Sequence, residues 1–128
     1  PERDAEAKRF ETRAGVAAVY VFPNDFPSAA KLGDSVLYVD GRLIGATLPG
    51  TFFRLDVMPG VHELHGYGHD AGSVKIRARG GEAHFVALNV VDGTWRFMPV
   101  APALGRREIG RCCVLMENWT PGQRPLLR

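Results

Sequence analysis

The sequence lacks most of the motifs from which a protein's function can be assigned directly. Its 128 residues include two cysteines, which are adjacent, and three serines, none of which stands in a G-x-S-x-G nucleophile elbow. Its glycines form no phosphate-binding loop and no dinucleotide-binding fingerprint. The longest apolar runs, 16–22 and 85–91, have the length of strands, whereas a membrane-spanning helix needs about 20 residues. The sequence therefore carries no motif for nucleotide binding, serine hydrolysis or a membrane helix.

The net charge of the chain is also small. The 16 Lys and Arg residues face 14 Asp and Glu residues, a formal charge of +2. Domains that bind nucleic acid carry a clustered positive excess, so we expect no nucleic-acid partner. With 45% hydrophobic and 23% charged residues, the composition is typical of a globular domain. We place an N-terminal arm at 1–14, the domain at 15–118 and a tail at 119–128.

What the sequence does contain is a regular series of turn signals between short apolar segments. Asp40-Gly41, Pro59-Gly60 and Asp92-Gly93 are typical of tight turns, since Gly accepts positive φ without steric cost. The segments between such turns predict a first strand at 16–22 and then strands at 35–40, 42–48, 51–57, 61–67, 73–79, 83–91 and 94–100. This spacing predicts a mainly β fold, an antiparallel β-sandwich of about seven strands.

The residue patterns of two predicted strands indicate which of their faces are buried. In 73–79 the residues alternate strictly, which predicts one buried and one wet face. Val74, Ile76 and Ala78 form the apolar side, and Lys75, Arg77 and Arg79 form the basic side. The segment 83–91 is apolar on both faces, so we expect it to lie centrally in a sheet.

The periodicity becomes helical after Pro102. Apolar residues at helical spacing (Ile109, Cys112, Cys113 and Met116) predict a short C-terminal helix over 105–117, which Gly105 and Gly110 weaken. Arg106, Arg107 and Arg111 lie off this stripe and are expected to face water. The charged N-terminal segment fits either a flexible arm or a short helix over 4–10 that is capped by Asp4.

Four residues form the only metal-site candidate: His65, His69, Asp70 and His84. Imidazole and carboxylate groups bind zinc and copper, and a weak metal-binding protein using the His65/His69 loop is the alternative function. His62 and His65 are three residues apart on a strand and so point to opposite faces. We favour ordinary strand and loop histidines, with no metal, no cofactor and no catalytic residue.

The cysteines and the basic rows have plain structural interpretations. Cys112 and Cys113 are interpreted as small buried apolar residues, with a redox or intermolecular role as the alternative. The basic strand face and the arginines of the helix could bind an anionic partner, but solvated faces are the simpler interpretation. Glu63 on the neighbouring strand could neutralise part of the positive charge on the strand face.

Several short motifs in a fixed order resemble those of a known protein family. They are AKRF at 7–10, GVAAVYV at 15–21, VDGRLIG at 39–45, Phe52-Phe53, PGVHEL at 59–64, Gly81-Glu82 and Phe85-Val86. Over 7–117 the chain resembles a family of small bacterial proteins, many regarded as lipoproteins, whose domain has no known function. The resemblance implies a periplasmic or outer-membrane-associated protein, held to the membrane through a lipid on a cysteine upstream of Pro1.

The segment 39–64 is also similar to the surface-associated β-modules called PEGA domains. In those modules a V-D-G-x-x-x-G hairpin is followed by a P-G-x-H turn. The similarity implies architectural rather than catalytic roles for Asp40, Gly41, Pro59, Gly60 and His62. PEGA modules are shorter than this chain, so the later strands and the helix fit only the first family.

Together these observations predict a non-enzymatic module of the cell envelope. We expect it to bind a protein, a glycan or peptidoglycan through a sheet edge or an exposed strand face. A small hydrolase would instead require carboxylates clustered in a cleft.

Overall fold

Two β-sheets and one helix account for most of the structure, a computed structural model. It describes residues 5, 7–12, 14–23, 36–46, 51–66, 72–91 and 94–115. The strands are β1 (Ala17–Pro23), β2 (Val36–Val39), β3 (Arg42–Ala46), β4 (Thr51–Val57), β5 (Gly60–His65), β6 (Ser73–Ala78), β7 (Ala83–Val91), β8 (Thr94–Val100) and β9 (Val114–Leu115). The helix α1 spans Pro102–Cys112.

The strands form two sheets that face each other. Sheet A has the order β8-β7-β1-β4-β9, and sheet B has the order β3-β2-β5-β6. This arrangement confirms the predicted mainly β sandwich with one short C-terminal helix. Most neighbours are antiparallel, but β1 runs parallel to β7 and β4 runs parallel to β9. Hairpin signals report only on strands that are consecutive in the chain, so they could not reveal these two pairs.

Sheet A is covered on both faces, and this produces two separate cores. The inner core lies between the sheets and includes Val19, Leu55, Leu64 and Val86. The outer core lies on the other face of sheet A, where Tyr20, Phe52 and Phe85 pack with Ile109 of α1. Alternate residues of β1 and β7 enter different cores, which explains why these strands are apolar on both faces. The predicted central position of 83–91 is confirmed.

The N-terminal segment completes the outer core. Ala5 and Ala7 are helical, and the turn at Lys8–Phe10 follows, so the helix ends before the predicted residue 10. The buried Tyr20 hydroxyl donates to the Ala7 carbonyl oxygen over 2.7 Å, and the Phe10 ring lies 5.1 Å from the Tyr20 ring. Burial raises the pKa of Tyr20 to about 12, although the nearby Arg54 charge acts in the opposite direction.

The predicted C-terminal helix is present as α1, but its predicted bounds, 105–117, are wrong at both ends. Pro102 begins it, since proline fits the first helical position, where no backbone donor is needed. Cys113 ends it with an extended backbone (φ −136°), because the chain then pairs with β4 as β9. Arg106, Arg107 and Arg111 are exposed, as predicted.

The interpretation of the cysteines as apolar thiols is wrong for Cys113. Its side chain is buried in the outer core, as predicted, but it is disulfide-bonded. The sequence contains one other cysteine, the adjacent Cys112. A bridge between adjacent cysteines strains the peptide link that joins them, so their spacing in the sequence gives no signal for a disulfide.

Some predictions fall outside the described part of the chain. They concern Asp4, the turn at Asp92-Gly93, Met116, and the tail at 119–128. Within the described residues, no helix has both the length and the apolar character required to cross a membrane.

Candidate binding cleft

A cleft of 380 Å³ opens at one side of the sandwich, where the edge strands of the two sheets approach each other. Its walls come from β6, from the start of β7, from the end of β8 and from the first residue of α1. The lining residues are Lys75, Ile76, Arg77, Glu82, Ala83, His84, Phe85, Val86, Pro99, Val100 and Pro102. The volume is at the small end of the range for ligand sites in proteins.

The free edge of β6 forms one wall. Three consecutive residues of this strand, 75–77, line the cleft. Successive side chains of a strand point to opposite faces, so a surface shared by all three must include the strand's edge. Among the described strands, β6 pairs only with β5. Its backbone groups on the other side are therefore available to a ligand.

The register identifies which backbone groups these are. Glu63 lies opposite Lys75, but the backbone of Glu63 bonds to Asp40 on the far side: its carbonyl accepts from Asp40 N–H and its N–H donates to the Asp40 carboxylate. Glu63 and Lys75 are thus a non-hydrogen-bonded pair, whose backbone groups point away from each other. It follows that the N–H and C=O groups of Lys75, and by alternation those of Arg77, face the cleft.

His84 closes one end of this edge. The backbone N–H of Arg79, the next residue in the alternation, donates to His84 Nε2 over 3.0 Å. A neutral imidazole that accepts at Nε2 carries its hydrogen on Nδ1. The turn that joins β6 to β7 then follows, with the Glu82 N–H donating to the Arg79 carbonyl. The unpaired stretch of the edge therefore ends at Arg77.

The two faces beside this edge differ in polarity. Lys75 and Arg77 are exposed on the outer face of sheet B, and Ile76 is buried between the sheets. Across the cleft, Val86 and Pro99 are register partners on β7 and β8. Since Val86 belongs to the inner core, the inner side of the cleft is apolar. The cleft thus combines a basic rim, an apolar wall and a free strand edge.

The strict alternation predicted for 73–79 is confirmed. Val74, Ile76 and Ala78 turn inward, and the basic residues of the row are exposed. Glu63 lies directly opposite Lys75, as expected of a residue that offsets part of the charge. The helix arginines are engaged differently: Arg111 pairs with Glu108 at 3.2 Å, and Arg106 lies over the Phe85 ring. Lys75 and Arg77 of the strand row line the cleft, whereas the three helix arginines are not among its lining residues.

The structure does not bring the metal-site candidates together in the part it describes. His65 lies on β5, where it stacks on Tyr38 at 5.1 Å, and His84 lies on β7 in the other sheet. His69 and Asp70 fall outside the described residues. No group of three or more ligating side chains occurs among the described residues. Metal binding by the His65/His69 loop stays a prediction.

The turn residues form a network that sequence reasoning missed. Asp40 and Gly41 both have positive φ (51° and 80°), as a tight hairpin turn requires. His62 and His65 point to opposite faces of the strand, as predicted, with His62 facing inward. The Asp40 carboxylate contacts His62 Nδ1 at 2.5 Å, and Met58 O contacts His62 Nε2 at 2.7 Å. The only sequence signal for this link was the presence of an acid in one turn and a histidine after the next.

No protein-family model, curated protein or solved structure matches the chain. The resemblances to the bacterial domain of unknown function and to PEGA modules therefore stay predictions, and the cleft must be interpreted from its own geometry.

Proposed function

We propose that the chain is a non-enzymatic binding module of the bacterial cell envelope, which holds a protein or cell-wall glycan partner in the cleft beside β6. The cleft itself is the observation that carries the proposal. It places a basic rim, an apolar wall and unpaired backbone groups around one space, and each of these can bind a partner.

The distribution of the other conspicuous residues supports this choice. The side chains of Asp40 and His62 are engaged with each other and with backbone atoms. Tyr20 is buried and bonded to the N-terminal segment. These three side chains therefore stabilise the fold, whereas Lys75 and Arg77 beside the cleft are exposed and can face a partner. The envelope location is supported by the order of motifs over 7–117.

Site-specific photo-crosslinking in cells tests the proposal. The full natural protein would carry a photoreactive phenylalanine analogue at position 77, beside the cleft, or at position 107, on the exposed face of α1. We expect a defined crosslinked product in the envelope fraction from position 77 and none from position 107. Equal crosslinking from both positions, or a cytosolic location of the protein, would overturn the proposal.

A further inference from the structure

We infer that the occupant of the cleft is an extended segment of a partner protein with the pattern acidic–apolar–acidic, which adds to sheet B as a new strand beside β6. The inference rests on the proposed function and names the partner's chemistry. It combines three observations: the direction of the backbone groups, the alternation of the side chains and the charge of the rim.

The backbone groups provide the attachment. The N–H and C=O groups of Lys75 and Arg77 face the cleft, as the register with β5 shows. A strand with an unpaired edge is a template for a further strand, and this mode of recognition gains its affinity from main-chain hydrogen bonds. Two residues that each offer a donor and an acceptor allow up to four such bonds. A glycan lacks the regular spacing of amide groups that would match them.

The side chains set the sequence of the segment. In a paired strand, the residues opposite Lys75 and Arg77 point to the same outer face as these two cations. Acidic side chains at these two positions would meet opposite charge. The residue between them points inward, toward Ile76 and the Val86–Pro99 pair. An apolar side chain fits there, so the pattern has a period of two.

The length of the segment is also limited. His84 already accepts from the Arg79 N–H, and a new strand can therefore gain no donor at that position. Pro99 on the opposite wall has no N–H of its own, so β8 offers no competing donor there. Since 75–77 are the residues of β6 that line the cleft, the core of the segment should be about three residues long.

Lysine and arginine on an edge strand also have a simpler use, because they discourage pairing with other chains. That role would require the edge to reject all strands, whereas the inferred role requires it to accept an acidic one. The two roles therefore predict opposite results with a charged peptide.

Fluorescence anisotropy with synthetic peptides separates these cases. The probe is a labelled peptide with the core Glu-Val-Glu between Ser and Thr residues, and the control has the same composition with the core Glu-Glu-Val. We expect saturable binding of the first and at least about tenfold weaker binding of the second. No binding of either peptide would overturn the inference, while crosslinking from position 77 to a glycan would leave the proposed function standing.

Backbone methylation tests strand addition directly. Only every second amide of an added strand faces its neighbour. Two peptides methylated on alternate sets of amide nitrogens should therefore differ, one keeping its affinity and the other losing about tenfold or more. Equal affinities for the two would show that charge alone holds the peptide and would overturn the added strand.

Charge reversal with rescue completes the test. The variant K75E/R77E should lose binding of the Glu-Val-Glu peptide and gain binding of a Lys-Val-Lys peptide. The variant R107E/R111E changes the net charge by the same amount on α1 and should behave as wild type. Loss of binding in both variants, or failure of the rescue in a protein that unfolds at the wild-type temperature, would contradict the assignment of these two residues.

Discussion

His62 connects two turns that are distant in the chain. Its side chain is 3% exposed, and both ring nitrogens face acceptors, the Asp40 carboxylate and the Met58 carbonyl oxygen. The same carboxylate accepts from Glu63 N–H. Asp40 therefore holds the hairpin turn against β5 through two contacts, one with the His62 ring and one with the Glu63 backbone.

Replacing Asp40 isolates this contact. The variant D40N would keep the turn, since asparagine before glycine accepts positive φ, but it would carry no charge opposite the ring. We expect a loss of about 1–3 kcal/mol in the free energy of unfolding, measured by urea denaturation.

The control for this variant must remove a carboxylate without removing a buried contact. D56N is not suitable, because Asp56 is itself buried and paired with Arg54. E82Q changes an exposed residue at the rim of the cleft and should stay within about 0.5 kcal/mol of wild type. A D40N protein as stable as E82Q would contradict a structural role for the network.

Tyr20 gives the protein a specific sensitivity to alkaline pH. Its folded-state pKa of about 12 lies above the ordinary value of 10.0. The unfolded chain therefore releases this proton first, and stability is present below pH 10 and is lost as the pH rises toward 12. A shift of this size corresponds to about 2–3 kcal/mol at most. Unfolding free energies at about pH 9 and about pH 11.5 should differ less in Y20F than in wild type, and identical differences in the two proteins would contradict the prediction.

At the scale of the element, the packing of α1 on sheet A depends on Gly105, a residue that lowers the intrinsic helix propensity. A Cβ atom on Gly105 would lie 2.5 Å from the Phe85 ring, so the helix reaches sheet A only because the side chain is absent. Helix propensity favours alanine over glycine by about 1 kcal/mol, but here the collision reverses the sign. Gly110, on the same helix, would meet nothing within 4 Å.

These two glycines form a matched pair for mutation. We expect G105A to destabilise the protein by about 1–3 kcal/mol and G110A to stabilise it by up to about 1 kcal/mol. Thermal unfolding of both variants would measure the difference. A G105A protein more stable than wild type would show that α1 packs less closely on Phe85 than the structure has it.

The strands could be predicted much better than the helix, and for a local reason. The bounds Thr51–Val57, Ala83–Val91 and Thr94–Val100 coincide with the prediction, because each of these strands lies between turn residues that act over a few positions. The end of α1 depends instead on the pairing of β9 with β4. A contact between segments so far apart in the chain leaves no signal in the helical stripe.

The candidate site was predictable only in part. The alternation over 73–79 identified Lys75 and Arg77 as a basic row, and the structure confirms their exposure. It could not show that this strand lies at an edge, since strand order depends on pairing across the whole sheet. Nor could it show that His84 turns toward the same edge from the other sheet. The cleft is a property of how the sheets are arranged.

At the scale of the whole molecule, the chain builds three layers rather than the two of a simple sandwich. Sheet B covers one face of sheet A, and α1 with the N-terminal segment covers the other. The hydrogen bonds from Arg54 to Glu11 O and from Thr12 to Gly81 O hold this segment in place. The residues assigned to an arm at 1–14 thus include part of the core, and Ala7 is buried.

The parallel pair of β1 and β7 has a consequence for how the protein is made. Ala18 pairs with Ala83, and on its other side it pairs with Asp56. During synthesis β1 leaves the ribosome first, but neither of its neighbours exists until much of the chain has followed. The strand β1, which is apolar on both faces, therefore stays exposed while later segments are translated. Completion of sheet A is tied to the last third of the chain, and a ribosome-bound fragment that stops before Ala83 has no means of closing it.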